Sequence, residues 1–329
     1  MSNVMVTIIY AFCGGVFGAS IGALWAFILC TLIAVMGALV VLAGGSDFIL
    51  MQVALGPIFG PAAGGFLSGV VAATYAHGVR KNHPTNNAKD IVTPLMGTSW
   101  DVLFVGGISA VISFYFAALL SKVPFIQLGD TGAISIVVLS LLSRVLFLKE
   151  SIFGNKKSIE KHGIFGTNNY ELSWCGYMTP KPLLMMIGIS MGGFSAAVAA
   201  GTLSVLRPLV ESGQINAGLA WTVPLFFTWG ISGIMLTMMA LGQGATGRVP
   251  VTHAISLVGA LMFLHTEPIF GTNTAILFGI LGGIMGMAVQ EFGARVFWNH
   301  GGNHIDPPAF SIAVNTLFIN ILFSFISLH

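Results

Sequence analysis

Gly301-Gly302-Asn303-His304-Ile305-Asp306-Pro307-Pro308 is the stretch whose reading decides the fold, together with the apolar run that leads to it from Glu267-Pro268-Ile269-Phe270-Gly271. An Asn, a His and an Asp stand on a Gly/Pro-interrupted turn between two segments greasy enough for lipid. Non-helical backbone at membrane depth is tolerated only where protein or a water-filled cavity satisfies it. Ionisable groups at that depth are costly and usually functional. A fainter copy of the arrangement runs from Pro57 to Pro94.

Composition agrees with a membrane setting. Of 329 residues, 55% are hydrophobic and 7% charged, against roughly 25% charged in a soluble domain. Several uninterrupted apolar runs reach the ~20 residues of a bilayer crossing. Their continuity excludes a membrane barrel, whose strands alternate polar and apolar. The class is therefore an all-α polytopic membrane protein. The net charge of +2 leaves no nucleic-acid footprint, because the basic residues cluster in loops. Cys13, Cys30 and Cys175 show no CxxC spacing, so neither a disulfide framework nor zinc is expected. The N-terminus lacks a basic n-region and reads as a retained first helix.

Val4 to Ala43 carries no charge and is too long for one crossing, so two helices with a tight turn near Ser20 to Ala23 are expected. Gly14, Gly18 and Gly22 repeat the small-xxx-small spacing of close helix packing. The run Phe48 to Ala76 is broken by Gly56-Pro57-Ile58-Phe59-Gly60-Pro61. Further runs give about ten transmembrane helices, or nine if the short run ending at His265 does not cross. Basic loops at Arg80 to Lys89 and Lys149 to Lys181 place both on the cytoplasmic side of an inner or plasma membrane.

Pro57-Ile58-Phe59-Gly60 recurs as Pro268-Ile269-Phe270-Gly271, and Asn87-x-x-Asp90 as Asn303-x-x-Asp306. Gly14-Gly15 resembles Gly192-Gly193 in the same order along the chain. These matches predict two internal repeats, residues 1–148 and 182–329, joined by a basic linker at 149–181, with discontinuous or re-entrant helices at the breaks. Counting spans implies inverted copies, whereas the loop charges imply parallel ones.

Asp306 is the leading site candidate: its carboxylate follows a Gly-Gly hinge and precedes two prolines, which leaves carbonyls free. With Asn303 it suits Na⁺, or a proton relay; the competing reading is a helix cap. Asn87 and Asp90 are its counterparts in the first copy. The breaks at Gly60 and Gly271 would aim helix N-termini at a solute, with Thr272 and Asn273 adding contacts, unless they are simple proline kinks. Glu267 sits at the second break. Asp101 and Asp130 lie inside or at the edge of the membrane, each readable as a helix start. His304 and His300 are four apart, but Gly301-Gly302 between them undoes a helical metal-binding face. His253 begins an apolar run and reads as a helix-start contact. No nucleotide-binding motif is present.

The expected function is secondary transport of a small solute by a permease coupled to Na⁺ or H⁺, with no other cofactor. The chain could form a homo-oligomer or take a protein partner at 149–181. The rivals are a passive channel, an intramembrane enzyme using His304 and Asp306, and a membrane subunit of a larger complex.

Overall fold

A computed structural model describes residues 4–166 and 172–326. Its elements are α1 (Val4–Ile21), α2 (Ala23–Leu42), α3 (Leu67–Tyr75), α4 (Trp100–Leu120), α5 (Thr131–Ser143), α6 (Lys156–His162), α7 (Lys181–Glu211), α8 (Leu219–Ile234), α9 (Leu236–Leu241), α10 (His253–Phe270), α11 (Thr272–Gly293) and α12 (Pro307–Ile326). Among the described residues there is no strand beyond an isolated bridge between Ser151 and Gly154. Nine helical segments among the described residues are long and apolar enough to cross a membrane, so the chain is a multi-pass membrane protein.

The expected turn between the first two helices is a single residue, Gly22, whose φ of 90° no side-chain-bearing residue adopts comfortably. The run expected to form a broken crossing, Phe48 to Ala76, is not one of the nine. A π-helical segment, Ile49–Ala54, and α3 are separated by turns. The stretch still runs in one direction along α2. Leu50 lies against Gly37, Gly65 against Cys30, and Gly69 against Ala23. Its peptide groups bond locally, for example Phe59 N–H to the Val53 carbonyl and Gly65 N–H to that of Gly60. That internal pairing meets the demand lipid places on irregular backbone.

Gly14 and Gly18 let this irregular segment press on α1. A Cβ on Gly18 would fall 1.8 Å from the Gly64 carbonyl oxygen, and one on Gly14 would fall 1.9 Å from that of Ile58. Gly18→Ala is therefore expected to cost about 1–3 kcal/mol, as overpacking does, read as a lowered thermal midpoint in detergent. Gly271→Ala meets open space and strains only a φ of 76°; its midpoint should fall less.

The second Pro-Ile-Phe-Gly motif folds differently. Pro268 to Phe270 finish α10, and Gly271 is the one-residue turn that reverses the chain into α11. Ile269 and Phe270 are half exposed there. The same four residues thus cap a hairpin in one place and lie in irregular backbone between two short helical segments in the other. The expected break within a crossing is not found at the second motif: Pro268 stands in the last turn of α10, and Gly271 starts the next helix at the surface.

α10 is the innermost helix, 78% buried despite being the least apolar of the nine. Its neighbours α7, α8, α11 and α12 cover it, so protein rather than lipid surrounds its Ser256, Thr266 and Glu267 side chains. Segment 149–166 packs on the decisive turn: Asn155 N–H donates to the His300 carbonyl, and Gly302 N–H donates to Glu150 Oε2 at 2.7 Å. The basic loops and the 299–306 turn therefore share one end of the bundle.

Candidate functional site

Asp306 caps α12, its Oδ2 accepting the Ala309 N–H at 2.7 Å. Pro307 and Pro308 follow, at helix positions where no amide hydrogen is needed. His304 Nε2 stands 3.3 Å from Asp306 Oδ1, and the Trp298 indole N–H donates to His304 Nδ1 at 3.1 Å. An indole nitrogen only donates, so Nδ1 accepts and the imidazole proton sits on Nε2, facing the carboxylate. The cap expected from sequence is present, and it leaves the acid facing a cavity.

Two cavities meet at this residue. The larger, about 310 Å³, is lined by Phe66, Pro61 and Ala62 of the irregular segment, Phe27 of α2, Trp229 of α8, the start of α5 with Asp130, and Asp306. It reaches Ser121 beyond the far end of α4. The smaller, about 220 Å³, is lined from the basic end by Lys89, Trp174, Cys175 and Trp298. Both contain Phe27, Phe66, His253 and Asp306. The Phe27 and Phe66 ring centres are 5.7 Å apart, and the His253 ring lies 4.7 Å from that of Phe27. His253 is 4% exposed and its Nδ1 has no partner.

Asp130 is deeper than a loop residue. Its backbone N–H donates to Thr316 Oγ1, nine residues beyond Pro307, or ~14 Å along α12 at 1.5 Å per residue. Its carboxylate accepts the Ala133 N–H and caps α5.

Asn303 is not available to a cation. It is fully buried, its Oδ1 accepts from Arg144 Nε at 2.7 Å, and its amide nitrogen lies 3.2 Å from Thr74 Oγ1, Ser143 Oγ and the Ser140 carbonyl. Arg144 also donates to the Asn303 and Ile152 carbonyls. The Na⁺ site expected at Asn303 and Asp306 is therefore corrected: a guanidinium already occupies the Asn303 side of it. Among the described residues no three His, Cys, Asp or Glu side chains converge as metal ligands.

The other candidates are spread over the molecule. Glu267 pairs with Arg207 and accepts from Thr272 Oγ1. It is fourteen residues from His253 on α10, roughly 21 Å away, so it does not join Asp306. Asn273 is exposed on the same turn. Asp101 binds Arg80 and the Tyr75 hydroxyl at the start of α4. Asn87 closes a turn onto the Lys89 N–H. Burial alone would raise the Asp90 carboxyl, but hydrogen bonds from Thr93, Thr85 and Val92 outweigh it and hold the acid below its usual range. Gly60 lies buried in the irregular segment. His300 binds Ser158 Oγ and the linker carbonyl of Ile164.

Sequence reasoning overlooked Lys89, Arg144 and the aromatic lining. Arg144 left a signal, as the one charge within the apolar run that becomes α5 and its π-helical end. Lys89 looked like one loop cation among several, yet its Nζ donates to the Asn299 carbonyl and lies 3.8 Å from the Trp298 ring centre. Burial, with Arg144 nearby, pulls its ammonium down to about 8. Between that value and the unfolded lysine's ~10.4, the unfolded chain binds more protons. The contribution of Lys89 to stability must then rise with pH across this window. The thermal midpoint of the wild type is expected to gain on that of Lys89→Met as pH rises from 8, and parallel curves would contradict it.

A model for a family of unknown function, DUF7973, matches residues 1–172 and 212–328. The chain belongs to this family. The DUF7973 match spans every residue that the two cavities share, while leaving 173–211, with α7, outside it. No curated protein and no solved structure matches the chain.

Proposed function

We propose that the chain is a permease that carries a small solute through the two cavities, with Asp306 as the coupling residue. One observation carries this reading: two cavities lined from different ends of the bundle stop on the same four side chains, Phe27, Phe66, His253 and Asp306. A thin aromatic barrier between opposed cavities is what alternating access requires. The stretch from Ile49 to Arg80 acts in this reading as a discontinuous crossing whose break supplies Pro61, Ala62 and Phe66 to the path. Residues 1–148 and 182–329 move against each other about the contacts of Phe27 with Trp229 and His253. The coupling ion is the proton, because Asp306 faces His304 and His253 while its expected partner for Na⁺, Asn303, is engaged by Arg144.

The test is uptake into proteoliposomes holding the full chain, using small organic cations, anions and neutral solutes under an imposed proton or Na⁺ gradient. Saturable uptake that follows the proton gradient supports the reading. Flux that is linear in solute and indifferent to both gradients would make the protein a channel. No flux above protein-free vesicles would end the proposal.

A further inference from the structure

We infer that the larger cavity binds a small organic cation, such as an alkylammonium, against the faces of Phe27, Phe66 and Trp229, in the field of two carboxylates set at different depths of the cavity, Asp130 and Asp306. The inference rests on the permease reading in taking this cavity as the solute's seat, and adds the solute's chemical class.

Three features of the cavity point the same way. Its lining holds two carboxylates and no lysine or arginine among the described residues. An anion would meet like charge there with nothing to balance it, and in a buried site such repulsion is weakly screened. The carboxylates are anchored as N-caps of α5 and α12. The aromatic rings form the remaining wall: Phe27 lies 5.7 Å from Phe66 and 5.2 Å from Trp229, both edge to face, and Phe226 lies 5.8 Å from Trp229. Ring faces attract an organic cation, most strongly where water is excluded.

A fourth feature concerns His253. His253 lines the cavity, is 4% exposed, and has a ring nitrogen without a partner. A buried polar atom left open in this way is costly unless something binds it. Lys89, the one nearby ammonium, lines the smaller cavity alone and is held there by Trp298 and Asn299.

The test uses three probes of one shape and different charge: choline, its uncharged isostere 3,3-dimethylbutan-1-ol, and the anion 3,3-dimethylbutanoate. Binding to the purified full-length protein in detergent is read by titration calorimetry. Choline is expected to bind at least about tenfold more tightly than the alcohol, as a desolvated cation–π contact allows, with no binding of the anion. Asp130→Asn should weaken choline about tenfold and leave the alcohol unchanged. Asparagine caps a helix as well as aspartate does, so the variant should fold, which its thermal midpoint checks. The inference is overturned if the alcohol or the anion binds as tightly as choline, if none of the three binds, or if Asp130→Asn leaves choline affinity intact. Uptake of an anion without choline binding would remove this inference and keep the permease. Choline binding by a protein that moves no solute would do the reverse.

Discussion

Asn303→Leu should unfold the protein's basic end before anything else fails, lowering stability by roughly 3–5 kcal/mol. Arg144 is fully buried and three of its nitrogens are spent on Asn303 and Ile152. Leucine fits the volume of asparagine loosely but offers no acceptor, so the guanidinium would keep its desolvation cost and lose its best bond. Thr74 and Ser143 lose a shared donor in the same step. The check is the thermal midpoint of the detergent-solubilised variant against wild type. The double variant Arg144→Met with Asn303→Leu should recover much of the loss, because removing both partners of a buried pair is far cheaper than removing one. A single variant as stable as wild type would show that the contact carries no weight.

Asp306→Asn has the largest expected effect on activity. The side chain lines both cavities and faces the His304 proton. Asparagine keeps the cap on α12, since its carbonyl oxygen can still accept the Ala309 N–H, so folding should be preserved. What is lost is a group that can take and release a proton. Gradient-driven uptake is expected to drop to the level of protein-free vesicles, while exchange of solute across vesicles at equal pH persists. Unchanged driven uptake would remove Asp306 from coupling.

Much of the architecture could be read from the chain before its structure. Charge-free runs of bilayer length announce crossings because lipid tolerates little else, and the length of the first uncharged run placed a tight turn near Ser20 to Ala23 because so long a run must fold back. Asp306 was legible for a related reason: an acid hemmed by Gly-Gly and Pro-Pro cannot lie within a helix. The motif Pro-Ile-Phe-Gly misled, because proline and glycine interrupt a helix without fixing which way the chain leaves. At Gly271 the chain turns back, whereas after Gly60 it continues along α2. Phe27, Phe66 and Trp229 were illegible, since an aromatic side chain in an apolar run looks alike whether it faces lipid or a cavity. Lys89 and Asn299 lie 210 positions apart, and spacing along a chain carries no trace of such a meeting.

The hairpin tip at Gly271 has a practical use. Nothing crowds it, and Ile269 and Phe270 beside it stand open. Cys30 is enclosed, whereas Cys13 is exposed and Cys175 is partly so. With Cys13→Ser and Cys175→Ser as background, Ile269→Cys would offer impermeant maleimides a single handle, and the leaflet from which they reach it would fix how the whole bundle is threaded.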